Sequence, residues 1–285
     1  MSYQPIIIIG APRSGTNMLR DILCEFKGVG TWPCDEINYI WRHGNMSLET
    51  DQVNKSLVTP KIKKYINKKF NQLAQKNDLD FVVEKTCANS LRVEFVNEIV
   101  PSAKYIFIYR DGVDAAGSAQ KRWTAELDIP YLLKKVKYVP ILDLPYYGIK
   151  YFFNRTYRLF SKEKRLALWG PQFNGLDEAL KKYSLEEVGA LQWKKCVDLS
   201  EDAFKNIPNK NVIRVKYEDF VINPQIELET ILKKLNIIYN EDEVKNATKS
   251  VSSKNIGKGR KTFTEKQIAA VTKLIKKSLK RYGYE

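Results

Sequence analysis

The stretch IIIIGAPRSGTNMLRDIL, residues 6–23, decides the fold of this 285-residue chain. Four consecutive isoleucines suit a strand buried on both faces, as in a parallel sheet. Gly10 breaks the strand, and Met18, Leu19, Ile22 and Leu23 resume at helical spacing. Strand, glycine-bearing turn and helix aim backbone N–H groups and the positive end of a helix dipole at one point, which makes an anion site. Gly10 and Gly15 have the separation of the Walker A pattern, yet Thr16 and Asn17 stand where that pattern wants Lys and then Ser or Thr. The missing lysine normally reaches terminal phosphates, and the hydroxyl after it holds magnesium. Arg13 is the one cation inside the loop. Such a turn suits a bound phosphate without metal-assisted phosphoryl transfer; its bland alternative is an ordinary strand–helix connection.

A chain of this length buries a full core, most simply as one α/β domain with an insertion. A formal charge of +15 implies an anionic partner. Nucleic acid, a membrane surface, an acidic polymer and a polyanionic cofactor all satisfy it. Cys24, Cys34, Cys87 and Cys196 form no CxxC pair and His43 is the single histidine, which argues against zinc and for reduced thiols in a cytoplasm. The sequence enters a strand at once, without a charged-then-apolar leader, and no apolar run reaches membrane-spanning length. These features predict a soluble, cytoplasmic protein, with contact at a membrane surface left open.

Working outward, GVGTWPCDEINYIWRHG (28–44) reads as a loop, and residues 51–79 as a lysine-rich helix with an apolar stripe of Val53, Leu57, Ile62, Tyr65, Ile66 and Phe70. FVVEKT (81–86) is a second buried strand, residues 88–100 a helix, and AKYIFIYR (103–110) a third strand, followed by a helix with Asp111 as N-cap. Residues 131–183 break the rhythm and read as an insertion. A helix over 184–206, a fourth strand NVIRVKYEDF (211–220), a helix over 224–236, the basic loop SSKNIGKGRKTFT (252–264) and a final amphipathic helix closing at Gly283 complete the chain. Alternation of this kind predicts an α/β fold with a P-loop-like central parallel sheet flanked by helices, carrying a helical aromatic and basic insertion.

The third strand runs into YRDGVDAAGSAQKRW (109–123), so Arg110 leaves the sheet at a carboxyl end, where open α/β sheets bind ligands. Ser118 follows on the next helix, near enough to share an oxyanion with it. Alone, an arginine there is more often a salt-bridge partner. PRSGT after the first strand, followed by YRDGVDAAGS after a later one, resembles the sulfotransferases that use 3′-phosphoadenosine-5′-phosphosulfate (PAPS). VEKT, PSAKYIFIYRDG, the helix bearing Leu191, Gln192 and Trp193, and VKYEDF are similar to further landmarks of bacterial and tyrosylprotein sulfotransferases. The resemblance covers roughly residues 5–125 and 185–285 and implies one sulfotransferase domain over 1–285, with the insertion as an acceptor-side cap. It assigns the 5′-phosphosulfate to Arg13, Ser14, Gly15, Thr16 and Asn17, and the 3′-phosphate to Arg110 and Ser118. A sulfuryl donor needs no magnesium, so the Walker lysine has no job; PAPS is the implied cofactor, PAP its product, and no metal is expected. Arg260 and Lys261 lie where cytosolic relatives close over the cofactor, though the RKG order is absent. Tyr217, with Glu218 and Asp219, belongs to the sheet edge, and Tyr217 is counted among the cofactor-side residues.

Sulfuryl transfer to a hydroxyl requires a base and positive charge at the leaving oxygen. Cytosolic sulfotransferases place a histidine two residues after a lysine at the end of the second strand. Here the segment reads Glu84, Lys85, Thr86, Cys87, so that role does not carry over. Tyrosylprotein sulfotransferases use a glutamate in the loop after the first helix, which points to Glu36, beside Asp35. Two adjacent, partly buried carboxylates also raise each other's pKa. His43 is the rival base. Lys85, with Arg13, is assigned to the leaving oxygen; alternatively it only pairs with Glu84. Residues 131–165 carry nine Lys or Arg, two acidic residues and nine Tyr or Phe, which suits a membrane interface, a sugar platform or plain packing. The resemblance favours a glycan or glycolipid hydroxyl as acceptor, with no role for nucleic acid. Magnesium dependence distinguishes the alternative of a kinase or NTPase, and PAP binding the alternative of a non-catalytic anionic-polymer binder.

Overall fold

The structure, a computed structural model, describes residues 3–123 and 169–285 together with Asp143, Pro145, Gly148 and Ile149. Its strands are β1 (Gln4–Ile9), β2 (Val29–Gly30), β3 (Phe81–Lys85), β4 (Lys104–Tyr109) and β5 (Val212–Lys216). They form one sheet in the order β2-β3-β1-β4-β5, every pair parallel. Register sets Ile8 beside Lys85, Ile9 beside Phe107 and Tyr109 beside Lys216, so the segments leaving β1, β3, β4 and β5 emerge along one edge. The isoleucine run alternates faces. Ile7 and Ile9 enter the core beneath α3 (Pro60–Asn77), α4 (Val93–Ile99), α5 (Gly112–Trp123), α7 (Leu185–Phe204) and α11 (Glu265–Arg281). Ile6 and Ile8 enter the opposite core beneath α1 (Thr16–Leu23), α8 (Tyr217–Ile222), α9 (Pro224–Leu235) and α10 (Glu241–Thr248). Two further short helices are α2 (Asn38–Trp41) and α6 (Leu176–Lys182).

The expected α/β class and parallel sheet are present, and several boundaries move for identifiable reasons. The fourth strand stops at Lys216, because Tyr217, Phe220 and Val221 bury at helical rather than alternating spacing. The lysine-rich helix begins at Pro60, where the Thr59 side chain accepts from the Ile62 N–H and proline fills the first turn. The segment expected to be a plain loop holds both β2 and α2. Helix α10, absent from the sequence reading, is opened by a reciprocal cap between Asn240 and Glu243. Of the predicted helical insertion and acceptor-side cap, residues 131–183, the part up to 168, with the membrane-facing stretch 131–165, lies nearly all outside the described residues; from Trp169 the chain is described, and α6 falls in the last part of the predicted insertion.

That re-entry is tied to the loop after α2. Asp51 is 2 % exposed. Its Oδ1 accepts from Arg42 Nη1 at 3.0 Å and lies 3.5 Å from Arg92 Nη1, while its Oδ2 accepts from the Gln172 N–H at 2.9 Å. The Asp51 N–H in turn donates to the Gln172 carbonyl at 2.7 Å. Removing one member of such a set leaves uncompensated buried charge. Asp51→Ala should therefore lower unfolding free energy by about 3–5 kcal/mol, measured by urea denaturation; a loss below about 1 kcal/mol, the range of a surface pair, would refute this role.

Candidate active site

The turn between β1 and α1 is tight because two of its residues adopt left-handed backbone, Arg13 at φ 69° and Gly15 at φ 88°. At Gly15 a side chain is doubly excluded, since an added Cβ would lie 2.6 Å from the Tyr217 ring. The first amides of α1 point out of the turn. Ser14 is fully buried and its hydroxyl has no hydrogen-bond partner. An orphaned hydroxyl beside helix amides is an arrangement completed by an oxyanion.

The second predicted anion site joins the first. Arg13 Nε donates to Ser118 Oγ at 2.9 Å, and Arg110 Nη1 donates to the Arg13 carbonyl at 3.0 Å. Arg110 lies 4.4 Å over the Tyr217 ring, and its carbonyl accepts from the Trp193 indole at 3.1 Å. Partial burial, then the guanidiniums of Arg122 and Arg110, pull the Arg13 pKa down. Clustered cations of this sort favour an anion between them.

Sequence reasoning missed Asp114, which is 2 % exposed. Its Oδ2 accepts from Arg110 Nε at 2.9 Å, from Arg110 Nη2 and from the Gly257 N–H at 3.1 Å; its Oδ1 accepts from the Gly259 N–H at 2.5 Å and the Arg260 N–H at 3.2 Å. The predicted closing loop is thus already seated on α5, and Arg260 Nη2 reaches Asp111 Oδ2 at 3.4 Å. The signal was present as an Arg–Asp pair four residues apart across the helix start. Asp111 caps α5 as expected, accepting from the Asp114 N–H at 2.8 Å.

At the end of β3, Lys85 Nζ donates to Glu36 Oε1 at 3.0 Å, and the Cys87 N–H donates to the same oxygen at 3.3 Å. Burial pulls the Lys85 ammonium down, but the Glu36 carboxylate, with Cys87, outweighs it and the net direction is up. The expected pair of carboxylates is not formed. Asp35 turns to Arg20, whose Nη1 donates to its carbonyl at 3.1 Å and lies 3.5 Å from Oδ1. Lys85 pairs with Glu36 rather than with its chain neighbour Glu84. Cys87 is no substitute base, since burial pushes its thiol up to about 12; it lies 3.7 Å from Thr16 Oγ1 and so links β3 to the phosphate turn. His43 is engaged elsewhere, 3.1 Å from Asp143 Oδ2 and stacked on Tyr65 at 3.9 Å between ring centres. Asn17 is exposed at the mouth of the turn, while Tyr217 is buried beneath it, supporting Gly15 and Arg110. No cluster of three or more metal-ligating side chains occurs among the described residues.

A profile of the sulfotransferase family matches residues 5–165, more than half of the chain. The chain belongs to the sulfotransferase family. Its fold is similar to the sulfotransferase domain of the Synechococcus PCC 7002 olefin synthase, at 14 % identity and TM-score 0.60, covering 100 % of this chain and 96 % of that one. Sulfotransferase STF9 from Mycobacterium avium aligns at 12 % identity and TM-score 0.54 over 100 % and 78 % of the two chains. Mouse sulfotransferase SULT7A1, solved with PAP, aligns at 16 % identity and TM-score 0.52 over 97 % and 85 %. Among curated proteins no significant match is found. No helix among the described residues is long and apolar enough to cross a membrane.

The crossing of the closing loop over α5 is the most constrained contact of this sulfotransferase site, because a Cβ at Gly117 would lie 2.1 Å from the Gly259 carbonyl oxygen. Gly117→Ala should lift the loop and speed hydrogen exchange at the Gly259 and Arg260 amides by about tenfold or more, with the sheet amides unchanged. Unchanged protection at those two amides would show that the crossing does not hold the loop.

Proposed function

We propose that this chain transfers a sulfuryl group from PAPS to an acceptor hydroxyl. The observation that carries the reading is the orphaned Ser14 hydroxyl in a lysine-free phosphate turn, joined through Arg13 to Ser118 and Arg110. These donors fit a ligand with two separated anionic groups. Ser14, Gly15, Thr16, Asn17 and Arg13 would hold the phosphosulfate side; Arg110, Ser118 and Arg260 would hold the 3′-phosphate. Arg110 keeps Asp114 as its anchor and gives its contact with the Arg13 or Asn255 carbonyl to the ligand. The bound donor supplies an activated sulfuryl group. Glu36, fixed by Lys85 and the Cys87 amide, takes the acceptor proton, and Lys85 with Arg13 places positive charge at the leaving oxygen. We take the acceptor to be a carbohydrate or glycolipid hydroxyl, a reading supported by family resemblance and by the aromatic, basic composition of residues 131–165.

Calorimetric titration with PAP tests the class: micromolar affinity that survives EDTA is the expected result, and binding that requires magnesium would favour a kinase. In the same titration Arg110→Ala should weaken PAP by about 2 kcal/mol or more, the worth of a charge-assisted contact. An equal loss for 5′-AMP, which lacks the 3′-phosphate, would mean that Arg110 serves the other phosphate.

Turnover, followed as PAP release across a panel of hydroxyl compounds with water included, separates the carboxylates. Glu36→Gln should leave PAP affinity nearly unchanged and lower kcat by about 10²-fold or more. Asp35→Asn should do less, since that side chain faces Arg20 and is 41 % exposed. Normal turnover by Glu36→Gln would remove Glu36 as the base and leave the PAP-binding result standing.

A further inference from the structure

Glu84 has no part in the chemistry above, yet it is a fully buried carboxylate next to Lys85. Its two oxygens serve different partners. Thr86 Oγ1 donates to Oε1 at 2.5 Å, and Asn89 Nδ2 donates to Oε2 at 2.9 Å. Each partner leads to the segment that carries Glu36. Thr86 Oγ1 accepts the Ile37 N–H at 3.1 Å. Asn89 Oδ1 accepts from Arg92 Nε at 2.9 Å, and Arg92 Nη2 donates to Asn38 Oδ1 at 2.5 Å. Residues 37 and 38 are therefore pinned to the end of β3 by two chains of hydrogen bonds that start on one carboxylate.

The direction of those bonds matters. A hydroxyl has one proton and two lone pairs. By taking the Thr86 proton, Glu84 leaves Thr86 only acceptor capacity toward Ile37, which is what a backbone N–H needs. An apolar residue at 84 would leave that proton without a fixed direction. Burial pushes the Glu84 pKa up to about 7, opposed by hydrogen bonding from Thr86 and the neighbouring Trp41 side chain and then by the charges of Lys85 and Arg92.

We propose that Glu84 is the positioning residue for Glu36, acting through Thr86 and through the Asn89–Arg92 pair to hold the Glu36 carboxylate against Lys85 and the Cys87 amide. The proposal rests on Glu36 as the base. A merely structural acid would stabilise the fold without a selective effect on turnover.

Thr86→Val, Thr86→Ser, Glu84→Gln and Glu36→Gln are compared by PAP calorimetry and by PAP release with the fastest acceptor of the hydroxyl panel. Thr86→Val should keep PAP affinity within about twofold, lower kcat by about tenfold or more and speed amide exchange at Ile37, while Thr86→Ser restores all three. Glu84→Gln should follow Thr86→Val, and it carries the same test if the valine variant does not fold. Wild-type turnover by Thr86→Val beside a slow Glu36→Gln would overturn the positioning role and spare the base. Parallel losses of PAP affinity and kcat, or failure of the serine to rescue, would mark Glu84 as structural and equally overturn it. Normal turnover by Glu36→Gln would fell the base and the proposal together.

Discussion

The carboxylate of Asp114 is the contact on which the candidate anion site depends. It is buried, and five donors converge on it: two from Arg110 and the backbone amides of Gly257, Gly259 and Arg260. An ionised group at this depth is tolerable only when its hydrogen-bonding capacity is filled. The same saturation that makes Asp114 tolerable draws the end of β4, the start of α5 and a loop some 145 residues later into one cluster. Arg110 is aligned by that cluster, and through the Arg13 carbonyl it bears on the phosphate turn. Gly117 and Gly259 exist at the crossing because no side chain fits between the two backbones there.

A second network, largely buried, lies at the end of β3. Lys85 pairs with Glu36, Arg42 and Arg92 face Asp51, and the buried Glu84 carboxylate is held by Thr86 and Asn89. Inside a low-dielectric interior such a set gains little net stability over an apolar core, but it fixes geometry, since any displaced member is left costly and unpaired. Geometry is what the loop bearing Glu36 lacks on its own: apart from β2 and α2 it has no regular structure to hold it. Trp32 and Trp41, edge-on to Phe70 at 4.8 and 5.8 Å, give it an apolar footing, and the charged set gives it direction.

How much of this was legible follows from the range of each interaction. The phosphate turn, the β3 and β4 ends and the Asp111 cap were readable, because strand burial, glycine placement and capping are local properties of a few residues. Resemblance assigned Arg13 to one anion site and Arg110 with Ser118 to the other; the Arg13–Ser118 hydrogen bond that joins them spans 105 residues and leaves no periodicity in the sequence. Asp114 was overlooked although its spacing from Arg110 was visible, because three of its five donors are amides of a loop whose position depends on the whole sheet. The separation of Asp35 from Glu36 was equally hidden: adjacent residues share a backbone, and only the placement of Arg20 and Lys85 sends their side chains apart.

The absent Walker lysine takes on a structural meaning once the strand order is considered. Parallel neighbours β3 and β1 set Lys85 beside Ile8, at the same edge from which the phosphate turn departs. On the proposed reading, positive charge reaches the turn from the adjacent strand, already paired with Glu36, instead of from the first helical turn. A lysine at position 16 would carry its charge on a flexible stem, free to follow a phosphate. Lys85 is only 4 % exposed and tied to the carboxylate that we assign as base. On the proposed reading, cation and base are therefore positioned by one ion pair, so that neither moves without the other, and Thr16 is left free to pack against Cys87 and close the turn onto β3.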